Sequence, residues 1–228
     1  MKEVKGSILV VDDDDSVRGS LVEIFTYLGY RIRTATSGLS ALIQIREEVP
    51  EILLSDLNMP EMSGFELLSI VRRRFPAIFV IAMSGMVPES TEIPSGVTAD
   101  AYHQKGGRVA DLVKSIELRA VPDRERFNKP EPIWVQRSSS DAPRAGDITI
   151  ACPECFRTFP YPVTGEANLI LDINCASCQS RIIFAVVAPD IRTFPAIWQE
   201  ARNGDQLIDR GRPQLRFPGP CAGAGVHS

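Results

Sequence analysis

The first 151 residues of this 228-residue chain hold no cysteine, and the whole chain has only two histidines. Neither His103 nor His227 has a partner motif, so no histidine-centred site is read. Long apolar runs are missing too. None approaches the ~18 residues needed to cross a bilayer, so no membrane partner is expected. The N-terminal apolar run is four residues long and leads straight into acid, unlike a secretory signal. Excess positive charge is also lacking: a net charge of −4 gives no general attraction to nucleic acid or anionic membranes. The cytoplasm is therefore the expected compartment, where clustered cysteines hold metal rather than form disulfides. What remains is an ordinary composition, 44% hydrophobic and 24% charged, enough for one large domain or two small ones, each with its own core.

Across residues 1–120 short apolar runs alternate with amphipathic stretches. Residues 7–11 read as a strand, and a helix follows with Val17, Leu21, Ile24, Phe25 and Leu28 on one face, capped by Asp15 or Ser16. Further strands are predicted at 30–35, 52–55, 77–82 and 99–103, and further helices at 37–49, 65–74 and 108–119. This alternation predicts an α/β fold, a doubly wound five-stranded parallel sheet with helices on both faces. Residues 121–146, with four prolines, three consecutive serines and near-balanced charge, read as a flexible linker. Strands return at 147–151, 168–174 and 181–187, then a short helix around 196–203 and a mobile Pro/Gly-rich tail.

The run Ile8-Leu9-Val10-Val11 is followed by four aspartates, Asp12 to Asp15. An acidic, solvated loop would look like this, and so would a cation site. The other strands favour the second reading. Ligands of an open parallel sheet bind at the carboxyl ends of its strands. Asp12 and Asp13 follow the first strand, Asp56 the third, Ser84 the fourth and Lys105 the fifth. A hard divalent cation such as Mg2+ takes one or two carboxylates plus waters. Beside it, a nucleophilic carboxylate with a lysine and a hydroxyl opposite suits phosphoryl transfer, which is mostly positioning and charge neutralisation. Asp56 would attack the phosphoryl group, Lys105 would pair with one of its oxygens, and Ser84 would donate to another.

These residues carry a resemblance. Leu53 to Leu67, LLSDLNMPEMSGFEL, is similar to the phosphoacceptor motif of the receiver domain of two-component response regulators, a flavodoxin-like fold. ILVVDD supplies the acidic pair Asp12 and Asp13, AMSG the switch hydroxyl Ser84, and ADAYHQK the switch aromatic Tyr102 and Lys105. The resemblance implies that Asp56 is the phosphoacceptor, that the backbone carbonyl of Asn58 joins Asp12, Asp13 and Asp56 around Mg2+, and that a sensor histidine kinase or phosphotransfer protein donates the phosphoryl group. It implies a receiver that is not an enzyme beyond self-phosphorylation and autodephosphorylation. A phosphoryl group adds about −1.5 to −2 charge, a local electrostatic event with a distant readout on the face of the fourth helix, fifth strand and last helix.

Two departures from the family pattern stand out. Gly106-Gly107 follows the lysine where proline is usual, which should loosen the start of the last helix. Pro88 and Pro94, with Val87, Thr91 and Ile93 between, predict a short or broken fourth helix over 86–96. An enzyme-class alternative is an aspartyl-phosphate phosphatase of haloacid-dehalogenase type, whose Asp-x-Asp, Ser and Lys order Asp12-Asp13-Asp14, Ser84 and Lys105 partly mimic. Its further acidic pair is missing, and it leaves the Asp56 motif unexplained.

The cysteines form a second pattern. Cys152-Pro153-Glu154-Cys155 and Cys175-Ala176-Ser177-Cys178 are CxxC pairs at the spacing of a structural Zn2+ site. Four thiolates close a tetrahedron and leave no position for substrate. The stretch is similar to a zinc ribbon, although Phe156 and Gln179 stand where glycine often follows the second cysteine. Redox pairing or coincidence remain open, and Cys221 has no partner. Residues 147–190 hold only Arg157 and Arg181 as bases against five acids, a poor match to phosphate backbones.

The expected organisation is a receiver at 1–120, a linker at 121–146, a small β zinc ribbon at 147–190, and a short helix and tail at 191–228. The expected function is a phosphorylation-dependent response regulator whose ribbon contacts a downstream protein. A transcription regulator whose ribbon binds DNA is the second reading.

Overall fold

Side-chain alternation in the buried strands decides the layers. In a computed structural model, residues 4–85, 99–119, 132–136, 147–163, 169–187 and 208–209 are described. Strands β1 (Ser7–Val11), β2 (Arg31–Ala35), β3 (Ile52–Asp56), β4 (Phe79–Ser84) and β5 (Ala101–Gln104) form an all-parallel sheet in the order β2-β1-β3-β4-β5. Leu9, Val11, Leu53, Val80 and Ala82 point to the face covered by α2 (Gly38–Glu47) and α3 (Gly64–Arg74). Ile8, Val10, Leu54, Ile81 and Met83 point to the face covered by α1 (Asp15–Tyr27) and α4 (Val109–Glu117). Strands buried on both faces need such unbroken apolar runs. This is the doubly wound five-stranded parallel sheet that the alternation implied.

Local corrections are small. The α1 cap is Asp14, not Asp15 or Ser16, because its carboxylate accepts the Ser16 and Val17 amides. Ser63 caps α3, and Ser37 and Ser40 make a reciprocal capping box on α2. Gly106-Gly107 forms a turn ahead of the last helix, whose N-cap Arg108 has no side-chain cap hydrogen bond. Gly106 takes φ +80° and the Gly107 amide donates to the Gln104 carbonyl at 2.9 Å. That is a closed turn at Gln104–Gly107 whose third position requires glycine. The predicted fourth helix at 86–96, the predicted helix at 196–203 and nearly all of the tail lie outside the described residues.

The second half departs more. Residues 133–136, inside the stretch read as a linker, form β6 (Ile133–Gln136), which pairs in parallel with β10 (Arg181–Val187). The apolar triplet Ile133-Trp134-Val135 is buried, and prolines just before it masked its strand character in the sequence. β7 (Asp147–Ala151) pairs with β8 (Thr158–Pro162), a strand that its two prolines concealed. β9 (Leu169–Asn174) pairs with β10 and with the short β11 (Ile208–Asp209), giving the order β11-β9-β10-β6. The apolar cluster on the α2–α3 side of the five-stranded sheet continues without a break into Ile133, Trp134, Ile150, Ile182 and Phe184. α3 lies between the two halves, and every residue from Gly64 to Arg72 is buried.

Candidate functional site

The acidic site sits at the carboxyl edge of the five-stranded parallel sheet. Asp12 and Asp56 are buried, Asp13 is exposed, and one carboxylate oxygen of each lies within 4.8 Å of the others. Lys105 reaches between them, its Nζ 2.9 Å from Asp12 Oδ2 and 2.8 Å from Asp56 Oδ2. The other oxygens are held by backbone: Asp12 Oδ1 accepts the Asp14 amide at 3.0 Å and Asp56 Oδ1 accepts the Asn58 amide at 3.2 Å. Burial pushes the Asp56 carboxyl above the ordinary carboxylate range, against the hydrogen bonds from Lys105 and Asn58. Burial also pulls the Lys105 ammonium down, but its bond to Asp56 and the charges of Asp56 and Asp12 outweigh it and leave its pKa raised.

Two buried acids against one lysine, with the exposed Asp13 beside them, leave the site net negative, which is costly for the buried pair. Asp12 Oδ2 meets Lys105 as a charge pair with no aligned hydrogen bond. A hard cation among these oxygens fits both observations. Asn58 is exposed two residues beyond Asp56, on the same loop.

Ser84 is buried at the end of β4, one residue past the pairing of Asp56 with Met83, and its carbonyl accepts the Lys105 amide at 2.8 Å. Tyr102 is half-buried on β5, its hydroxyl accepting the Ala99 amide at 3.1 Å, and burial raises its pKa. Two basic residues escaped sequence reasoning. Arg18 is buried and donates to the Asp12 carbonyl at 2.5 Å. Arg72 is buried and bonds the Ile78 carbonyl at 3.2 Å and Asp100 Oδ2 at 2.9 Å, fastening β4 to the segment before β5. Arginine on a helix face gives no sequence signal that it will be buried.

The loop joining Asp56 to α3 is tight. A Cβ on Gly64 would stand 2.1 Å from the Asp56 carbonyl oxygen, so only glycine fits there. The Gly64 amide donates to the Leu57 carbonyl at 3.0 Å.

The four cysteines converge, with all Sγ atoms within 4.8 Å and the Cys152–Cys178 and Cys155–Cys175 pairs at 3.6 and 3.7 Å. These separations exclude a disulfide at ~2.05 Å. They match the ~3.8 Å edge of a tetrahedron with metal–sulfur bonds of ~2.3 Å. The two turns are built alike. The Glu154 and Ser177 amides donate to Cys152 and Cys175 Sγ at 3.4 and 3.3 Å. Phe156 and Gln179 take the left-handed φ values of 58° and 60° at the positions where glycine is the easier choice. Burial pushes the Cys152 thiol well up, whereas the Ser180 hydroxyl and amide hold Cys178 down to about 6. The donor set and geometry fit zinc.

Comparison with known proteins agrees with the N-terminal architecture. Residues 8–117 match the response regulator receiver domain family, and this part of the chain is a receiver domain. The chain is 32% identical over 148 residues to the transcriptional regulatory protein AfsQ1 of Streptomyces coelicolor, covering 63% of this chain and 59% of that protein. It is 35% identical over 125 residues to the probable transcriptional regulator ycf27 of Porphyra purpurea, covering 53% and 51%. Among solved structures it is similar to the chemotaxis response regulator CheY4 of Vibrio cholerae, at 27% identity and TM-score 0.46, covering 49% of this chain and 96% of that one. The chain thus spans between half and three fifths of the length of the two curated relatives. No helix among the described residues is long and apolar enough to cross a membrane.

Proposed function

We propose that the protein is a cytoplasmic, phosphorylation-dependent response regulator of a two-component system. The observation that carries this reading is the triangle of Asp12, Asp56 and Lys105, with contacts of 2.9 and 2.8 Å inside a receiver domain. The Asp56 carboxylate would attack a phosphoryl group on a histidine of a sensor kinase or phosphotransfer protein. The P–N bond breaks as the new P–O bond forms, and the imidazole leaves. Asp12, Asp13, Asp56 and the Asn58 carbonyl would hold Mg2+, which supplies neutralisation of phosphoryl charge. Lys105 would pair with a phosphoryl oxygen, Ser84 would donate to another, and Tyr102 would serve as the aromatic switch. Cys152, Cys155, Cys175 and Cys178 would hold a structural Zn2+ with no catalytic role, and the module around it would signal through protein contact.

A DNA-binding output is the second reading, favoured by the relatives' names as transcriptional regulators. Against it, Arg181 is already paired with Asp172 at 2.5 Å, leaving Arg157 as the other base of residues 147–190. Retention on DNA that collapses with added salt would favour this second reading.

Incubation with acetyl phosphate and Mg2+ tests the first. Intact mass should show one added phosphoryl group on the wild-type chain and none on Asp56→Asn. Full labelling of Asp56→Asn would overturn the reading and return the haloacid-dehalogenase alternative, in which Asp12 reacts.

A further inference from the structure

On a doubly wound sheet, a covering helix ordinarily keeps its outer face in water. Here the outer face of α3 is covered, and its polar groups are matched one by one. Glu66 Oε1 accepts the Ala151 amide at 3.4 Å. Ser69 Oγ accepts the Trp134 amide at 3.2 Å. Arg74 Nη1 lies 2.6 Å from Glu154 Oε2, and Arg73 Nε lies 3.5 Å from Glu154 Oε1. Beyond the helix end, the Phe75 and Phe156 rings stack with centroids 6.0 Å apart.

The partners on the module side are not scattered. Ala151 directly precedes the ligand Cys152, Glu154 lies inside the first CxxC turn, and Phe156 directly follows Cys155. The contact also explains why phenylalanine occupies a left-handed position that glycine would fill more easily. At its other end, α3 begins where Gly64 touches the Asp56 backbone.

We infer that the four-cysteine module is a built-in partner of the outer face of α3, and that phosphoryl occupancy at Asp56 and metal retention at the cysteines are linked through this helix. The inference rests on the phosphoacceptor reading above. Asp56 Oδ1 holds the Asn58 amide, so a phosphoryl group bonded through that oxygen would take this bond from the head of the 57–63 loop. α3 is close-packed on both sides, so its first turn cannot shift without moving either the sheet or the Ala151–Cys152 strand end. At equilibrium, linkage of this kind is reciprocal: the factor by which the phosphoryl group changes metal affinity is the factor by which metal changes the stability of the phosphorylated form.

The test uses the full zinc-loaded chain carrying Trp198→Phe, which leaves Trp134 as its only tryptophan. With Mg2+ and acetyl phosphate, Trp134 emission should change, and zinc release to a chromogenic chelator should change by about fivefold or more, the low end of ordinary coupling. The added Asp56→Asn change should abolish both responses. In Glu66→Ala with Arg74→Ala, Asp56 should still be labelled but zinc release should no longer respond. Glu66→Gln, which keeps an acceptor for Ala151, is the folded control and should respond as the parent does. If Asp56 is labelled while emission and zinc release stay fixed, the module is a passive cover and the inference falls, but the phosphoacceptor reading stands. A response undiminished in the double alanine variant moves the coupling off α3 and also overturns it. Absence of labelling removes the phosphoacceptor reading and the inference together.

Discussion

Residues 4–119 supply helices for both faces of their own sheet, whereas residues 132–187 offer two small sheets and, among the described residues, no helix to cover them. The first half covers both faces of its sheet with its own helices. The second closes its core with four thiols and with a helix taken from its neighbour. The lesson is that the smaller half takes part of its cover from α3.

That contrast should break most visibly when the metal is removed. A structural zinc contributes about 10–16 kcal/mol of apparent binding energy in small domains. Chelation, or Cys175→Ser, should therefore unfold the module and redden Trp134 emission while far-ultraviolet circular dichroism of the receiver helices persists. Next in size is Trp134→Ala. Trp134 is 1% exposed in the shared cluster, and losing such a ring costs about 3–5 kcal/mol. Because the cluster spans both halves, thermal unfolding of the zinc-loaded variant should show one transition at lower temperature, not a receiver that melts unchanged.

A third effect depends on pH. Burial raises the Glu66 carboxyl from the ordinary value of 4.5 to about 8, against the Ala151 hydrogen bond. The nearby interface charges, Arg73, Arg74 and Glu154, pair with one another. The folded chain thus keeps a proton that the unfolded chain loses, so this group's stabilisation is whole below about pH 4.5 and is lost as pH rises through about 8. Glu66→Gln should flatten that slope, as urea midpoints at about pH 5 and about pH 8 would reveal. The smallest effect compares the two cysteine turns. Gln179→Gly should stabilise the chain by about 0.5–1 kcal/mol, because glycine relieves the left-handed strain. Phe156→Gly relieves the same strain but forfeits the Phe75 ring contact, worth about 0.5–1.5 kcal/mol, so its melting point should stay level or fall.

Much of the receiver was legible because each of its elements carries its own signal. Ile8 to Val11 announce a strand buried on both faces, Asp12, Asp56 and Ser84 each close an apolar run, and Lys105 follows a short strand. The cysteine cluster was legible from spacing. Strand β6 was not, since three apolar residues beside prolines earn burial only when β10 lies alongside. The roles of Glu66, Ser69 and Arg74 were hidden for a related reason. On a helix, polar residues at such positions look like a solvated face until something covers it.

The sequence alone determined which residues could bind metal or accept a phosphoryl group, because side-chain chemistry and chain-local periodicity are written residue by residue. Only the tertiary structure decided that α3 has no free outer face and that the cysteine module lies along the helix that starts beside Asp56. Those facts depend on contacts between segments up to 85 residues apart, such as Glu66 with Ala151. Burial across such distances is set by the whole packed core, not by any local pattern.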